Sequence, residues 1–79
     1  MNDEYYKKIK KMLIDNYGVD EDEIVEDAYF GDDLNLGDLE LEEMLQVLED
    51  EYEITFEEEE RGEIETVDDL TTLLSEKLD

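Results

Sequence analysis

The chain has 79 residues, of which 29 are Asp or Glu and 6 are Lys or Arg, so its formal net charge at pH 7 is −23. This length predicts one small domain over residues 1–79, with a thin core and marginal stability. Cys and His are both absent, which excludes disulfides, thiol chemistry and the usual acid–base side chain of neutral pH. The short apolar runs predict no membrane span and no secretory signal, and therefore a cytoplasmic protein. The charge disfavours nucleic acid, whose phosphates have the same sign, and favours a basic protein partner.

High charge and low hydrophobicity are also typical of disorder, but apolar periodicity argues for a folded chain. The first helix is predicted over residues 3–17, with Gly18 as its C-terminal stop. Its apolar side chains repeat at helical spacing and include Tyr5, Tyr6, Ile9, Met12, Leu13 and Tyr17.

Residues 18–37 are predicted to form a long loop. A structureless segment of this length is uncommon in a compact domain, so we expect it to be anchored. Gly31 and Gly37 supply turns. The predicted anchors on the helices are Ile24, Val25, Phe30 and Leu34.

The second helix is predicted over residues 38–53, where the amphipathic pattern is clearest. Asp38 precedes this pattern and suits an N-cap, because its carboxylate can accept bonds from unpaired backbone N–H groups. The apolar stripe consists of Leu41, Met44, Leu45, Leu48 and Tyr52.

Two more helices complete the predicted all-α bundle of three main helices, one short helix and a long first loop. The short helix is expected over residues 57–63, with Gly62 ending it. The last is expected over residues 67–77, where Thr66 and Asp69 approximate a capping box. Its stripe consists of Val67, Leu70, Leu73, Leu74 and Leu78.

Catalytic chemistry has few candidates in this sequence. With 29 acids, no carboxylate pair stands out, and a thin core leaves little room for the pocket that a general acid requires. We therefore expect no catalytic residue and no enzyme. The segment that begins at Asp33 does not match an EF-hand calcium loop, because its twelfth position is Met44 rather than Glu. We expect no specific metal site, only weak and diffuse binding of divalent cations.

The segment Asp33-Leu34-Asn35-Leu36-Gly37-Asp38-Leu39-Glu40 resembles the acyl carrier protein family, which has D-L-x-x-D-S-L-[DE] there. The similarity runs without a gap from about residue 18 to residue 74. It implies an acyl-carrier-like four-helix bundle. Other matching segments are Leu45 to Tyr52, the strand-like step Ile54-Thr55-Phe56, and Ile64-Glu65-Thr66-Val67.

The resemblance fails at the family's attachment site. The serine that takes the 4′-phosphopantetheine arm falls on Asp38, and the Asp before it falls on Gly37. A carboxylate cannot form that stable phosphodiester, and no Ser or Thr lies between Asp3 and Ile54. The resemblance therefore implies a cofactor position at Asp38 that is non-functional, and no cofactor on the chain as written.

The resemblance also implies a partner-docking surface on the second helix. Of the family's three exposed apolar contact positions, only Leu39 stays apolar, since the other two are Glu42 and Gln46. We expect a monomer that docks, mainly by charge, on basic surfaces of carrier-protein-dependent enzymes. The predicted docking residues are Leu39, Glu40, Glu43, Glu49 and Asp50.

Three functional hypotheses follow. The first is an acyl carrier homologue without an arm, working by docking in or near fatty acid, lipid or polyketide biosynthesis. The second is an ordinary acyl carrier whose attachment serine has been altered. The third is an acidic inhibitor that mimics a polyanion, with its charge spread over all faces.

Overall fold

The computed structural model describes residues 3–79, which form four α-helices and a single turn of 3₁₀ helix at Glu21–Glu23. The three long helices and one short helix confirm the predicted all-α fold. No helix within these residues is long and apolar enough to cross a membrane. The helices are α1 (Asp3–Tyr17), α2 (Asp38–Tyr52), α3 (Glu58–Glu63) and α4 (Val67–Leu78).

One apolar cluster joins α1, the first loop, α2, the segments around α3, and α4. Its most deeply buried members come from the predicted helical stripes, which explains why these segments are helical: each stripe faces the shared core. At the edge of this core the rings of Tyr5 and Tyr52 meet edge to face, 5.9 Å apart. The fully covered side chains are Ile9, Leu13, Met44, Leu45, Leu48, Val67, Leu70 and Leu74.

The first loop (residues 18–37) is anchored, as its length predicted. Phe30 N–H donates to the Glu65 carbonyl (2.9 Å), and Val67 N–H donates to the Ala28 carbonyl (3.0 Å). These bonds tie the loop to the segment that enters α4. The expectation that Val25 is an anchor was wrong, since its side chain is 50% exposed. Its neighbour Ile24 is buried in its place. Anchors that are buried include Val19, Ile24, Ala28, Phe30, Leu34 and Leu36.

The start of α2 corrects a second expectation. Gly37, not Asp38, is the N-cap, and Asp38 is the first helical residue. The reason is local: Leu41 N–H already bonds to the Gly37 carbonyl (3.0 Å), and the Glu40 carboxylate accepts from Gly37 N–H (2.9 Å). Asp38 still places negative charge at the positive end of the helix dipole, worth about 0.3–1 kcal/mol.

The boundaries of the last two helices are close to those expected. Gly62 lies inside α3 rather than ending it, because its φ is not in the left-handed region that Gly18 adopts at the end of α1. The predicted capping box is present, with Asp69 N–H donating to Thr66 Oγ1 and Thr66 N–H donating to Asp69 Oδ2, both at 3.1 Å. Residues 54–56 do not form a strand, and the β-pairing within residues 3–79 is a single bridge between Tyr29 and Thr66.

Candidate docking face and attachment position

Asp38 is exposed at the N-terminal end of α2, beside a groove of about 200 Å³. The groove lies where the first loop, the start of α2 and the entry to α4 meet. Asp38 therefore lies at an accessible helix end, next to a groove with both apolar and acidic lining residues. The apolar and aromatic lining consists of Tyr29, Phe30, Leu36, Leu41 and Ile64.

The sequence resemblance places the family's attachment position at Asp38, whose side chain is a carboxylate and not a hydroxyl. The family's arm is attached through a serine hydroxyl, and the Ser and Thr side chains of this chain all lie beyond residue 54. Three of these have partners within or next to α4: Thr66 caps α4, Thr71 donates to the Val67 carbonyl, and Ser75 donates to Asp79. No Ser or Thr lines the groove beside Asp38 among residues 3–79.

On one side, α2 faces α3 through a single arginine. The Arg61 guanidinium pairs with Glu42 and Glu49, with Nη2 3.0 Å from Glu49 Oε2. The same Glu49 oxygen accepts from Phe56 N–H (2.7 Å), and Arg61 Nε donates to the Phe56 carbonyl (3.2 Å). The Glu49 side chain is only 11% exposed, so this carboxylate is committed to internal bonds.

On its opposite side, α2 faces α1. Lys8 Nζ lies 2.6 Å from Glu51 Oε2, and the Tyr17 hydroxyl donates to the Glu40 carbonyl (3.2 Å). Burial, and then the negative charges of Glu43 and Glu40, raise the pKa of Tyr17 above its ordinary value. Tyr17 thus lies between the part of α2 that contacts α1 and the part that is exposed to solvent.

Between these two sides, α2 presents a stripe to solvent that we call the outer face. Leu39 is 74% exposed and Val47 is 44% exposed. Gln46 Nε2 donates to Asp50 Oδ1 (3.3 Å). The spacing of i, i+4, i+7, i+8 and i+11 places all members on one side of the helix. The outer face consists of Leu39, Glu43, Gln46, Val47 and Asp50.

The outer face overlaps the predicted docking set without matching it. Leu39, Glu43 and Asp50 lie together on it, whereas Glu40 supports the N-terminus of α2 and Glu49 turns toward α3. Val47 was not predicted. The sequence could have indicated this residue, because Val47 is apolar and lies on the polar side of an otherwise regular amphipathic helix.

Over residues 3–79, no three Asp or Glu side chains are placed together so that they could hold a metal ion. The expectation that the chain has no specific metal site stays a prediction.

Comparison with known proteins identifies a close relative. The chain is 45% identical, over 76 residues, to a protein named acyl carrier protein from Petrotoga mobilis (strain DSM 10674 / SJ95). This similarity covers 96% of the present chain and 89% of the relative. No protein-family model matches the sequence.

Proposed function

The chain belongs to the acyl carrier protein family, and on that premise we propose that it docks on partner enzymes without carrying a 4′-phosphopantetheine arm. The observation that carries this proposal is Asp38, an exposed carboxylate at the helix end where the family places its attachment serine. The chain then has no catalytic role of its own. It works in or near fatty acid, lipid or polyketide biosynthesis, as a cytoplasmic monomer with one domain over residues 1–79.

The first experiment tests the missing arm. The protein is incubated with coenzyme A and a broad-specificity phosphopantetheinyl transferase, and its intact mass is measured. We expect no gain in mass. A gain of one arm, mapped to a peptide that contains Asp38, would refute the proposal.

The companion variant is Asp38→Ser, which restores a hydroxyl at the same helix position. We expect this variant to gain one arm in the same reaction, provided that the transferase accepts Gly37 where the family has Asp. Modification of Asp38→Ser also separates our proposal from the polyanion-mimic hypothesis, since a mimic has no reason to preserve a transferase substrate surface.

Docking is proposed to use the outer face of α2. Its two acids, Glu43 and Asp50, alternate with exposed Leu39 and Val47 along the helix, so a partner surface that mixes basic and apolar residues is complementary to it. The Arg61 pairs remove Glu42 and Glu49 from this role. Of the predicted docking acids, Glu43 and Asp50 therefore remain on the outer face.

The second experiment reverses charge on this face with a matched control. Glu43 and Asp50 are changed to Lys, and separately Glu63 and Glu76 are changed to Lys. The control acids are exposed and close to helix C-termini, where a cation is tolerated. A basic, carrier-protein-dependent enzyme is the first partner to test.

Both double variants change the net charge equally, so both should associate more slowly at low salt. Only the outer-face variant should also dissociate faster, by about ten-fold, because only it loses close charge pairs. Equal dissociation rates for the two variants would favour the polyanion mimic over specific docking.

A further inference from the structure

The first loop carries a second exposed apolar pair, separate from the outer face of α2. Val25 is 50% exposed and Tyr29 is 46% exposed, although 44% of the chain is charged. Both side chains line an open hollow of about 520 Å³ on the surface of the loop. Exposed apolar side chains that lie together commonly mark an interaction site.

Carboxylates surround this apolar pair. Asp22, Glu23 and Asp27 line the hollow, and within residues 3–79 none of their carboxylates has an ion pair. The fourth carboxylate that lines the hollow, that of Asp33, accepts a hydrogen bond from Tyr29 N–H (2.8 Å). No Lys or Arg among the structurally described residues lines the hollow, so its charge is uncompensated.

The backbone beneath the hollow is held in place. Ala28 N–H donates to the Val25 carbonyl (3.1 Å), and Leu34 N–H donates to the Tyr29 carbonyl (3.0 Å). Ala28 itself is buried, and Tyr29 forms the bridge with Thr66. The backbone of Tyr29 is therefore held in place, which lowers the ordering cost of binding.

We propose that this hollow binds an Arg-bearing, partly apolar segment of a partner protein. A guanidinium stacks on an exposed tyrosine ring and pairs with carboxylates through its planar fork, which an ammonium does less well. Apolar residues of the segment contact Val25. Tyr29 also lines the groove beside Asp38, so the hollow adjoins that groove. The basic character of the partner rests on the proposed docking function, whereas the hollow itself is a separate site.

The test uses a short peptide, acetyl-Arg-Leu-Arg-Leu-Arg-amide, and follows the backbone amides of the full chain by ¹⁵N NMR. We expect the largest shifts within residues 22–33. The matching Lys-Leu peptide should bind about two- to five-fold more weakly, because it loses the stacked guanidinium.

Two double variants make the same chemical change on different surfaces. Val25→Ser with Tyr29→Ser removes the apolar pair of the hollow, and Leu39→Ser with Val47→Ser removes that of the outer face. All four side chains are exposed, so both variants should fold, which thermal unfolding checks. The first should weaken peptide binding about five-fold or more, whereas the second should change it less than about two-fold.

The proposal is overturned if the shifts centre on α2 and only the Leu39 and Val47 variant loses affinity. It is equally overturned if the Arg and Lys peptides bind alike with shifts spread over all acidic surfaces. Neither result depends on coenzyme A, a transferase or a partner enzyme. A modified Asp38 would therefore refute the proposed function while leaving this test unaffected.

Discussion

In the first loop, six side chains are buried although only Glu21–Glu23 form a helical turn, whereas α3 is regular helix with no buried residue. The loop is attached to the bundle by apolar side chains such as Phe30. α3 is attached by apolar residues that flank it, Phe56 and Ile64, and by the polar contacts of Arg61.

A segment of this small protein can therefore be firmly attached to the core without regular secondary structure. A six-residue helix is too short to be stable by itself, so α3 depends on its flanking residues Phe56 and Ile64 and on polar contacts, mainly those of Arg61. The irregular loop, by contrast, contributes directly to the core. If this comparison is right, the two regions should respond differently to mutation, salt and pH.

The largest expected effect comes from removing an anchor of the loop. Phe30→Ala should lower the free energy of unfolding by about 3–5 kcal/mol, because the ring is 2% exposed and its loss leaves a cavity. Chemical denaturation measures this change. The control Val25→Ala, at an exposed position of the same loop, should stay within about 0.5 kcal/mol of the original protein. Similar losses from both variants would contradict the assignment of anchors.

A smaller and more local effect is expected from the contacts of α3. Arg61→Met keeps the aliphatic stem and removes the charged hydrogen bonds, so it should cost about 1.5–3 kcal/mol. Amide hydrogen exchange should show faster exchange of residues 58–63, with the first loop still protected.

The matched control for Arg61 is Lys11→Met, which removes an exposed pair with Asp15 one helical turn away. It should cost no more than about 0.5 kcal/mol. Uniform loss of protection across the whole chain in Arg61→Met would show that α3 unfolds only with the rest of the bundle.

Salt should stabilise α3 less than it stabilises the rest of the protein. Screening of a net charge of −23 reduces self-repulsion, so salt should raise the melting temperature, by about 4–8 °C for each 1 kcal/mol gained. The same screening weakens the Arg61 pairs, so exchange in residues 58–63 should gain less protection than exchange in the first loop. A melting temperature that does not change with salt would show that the charges are already compensated.

The smallest effect concerns a single carboxyl in α3. A bond from Glu57 N–H (2.7 Å), followed by contact with Lys77 (2.9 Å), lowers the pKa of Glu60 below its ordinary value. Because the folded-state pKa is depressed, this contribution to stability is present above the unfolded-state pKa. It is lost as the pH falls through the folded-state pKa.

Carbon-13 NMR of the side-chain carboxyl groups over an acid titration measures this pKa directly. In Lys77→Met the pKa of Glu60 should rise only part of the way toward its ordinary value, because the Glu57 bond is the larger cause. An ordinary pKa for Glu60 in the unmodified protein would contradict the capping contact at the start of α3.

Sequence patterns predicted the long helices well because their apolar stripes repeat over several turns, as from Leu41 to Tyr52. They predicted α4 through its capping box at Thr66 and Asp69. They failed at Val25, since an irregular segment has no periodicity to say which apolar residue points inward.

The candidate site was predicted in part for a similar reason. Leu39, Glu43 and Asp50 follow from helical spacing alone. The inward orientation of Glu49 depends on Arg61, a residue of another helix, and pairing between elements is not encoded in spacing. The N-cap at Gly37 could have been predicted from the sequence, because Glu40 lies three residues later, as in a capping box.

The most direct test of the central claim is the intact mass of this protein purified from its native host, where the natural transferase and coenzyme A are present. Our account predicts the mass of the unmodified chain, because Asp38 offers no hydroxyl for the arm. A population heavier by one 4′-phosphopantetheine group, with the added mass on the α2 peptide that contains Asp38, would contradict it.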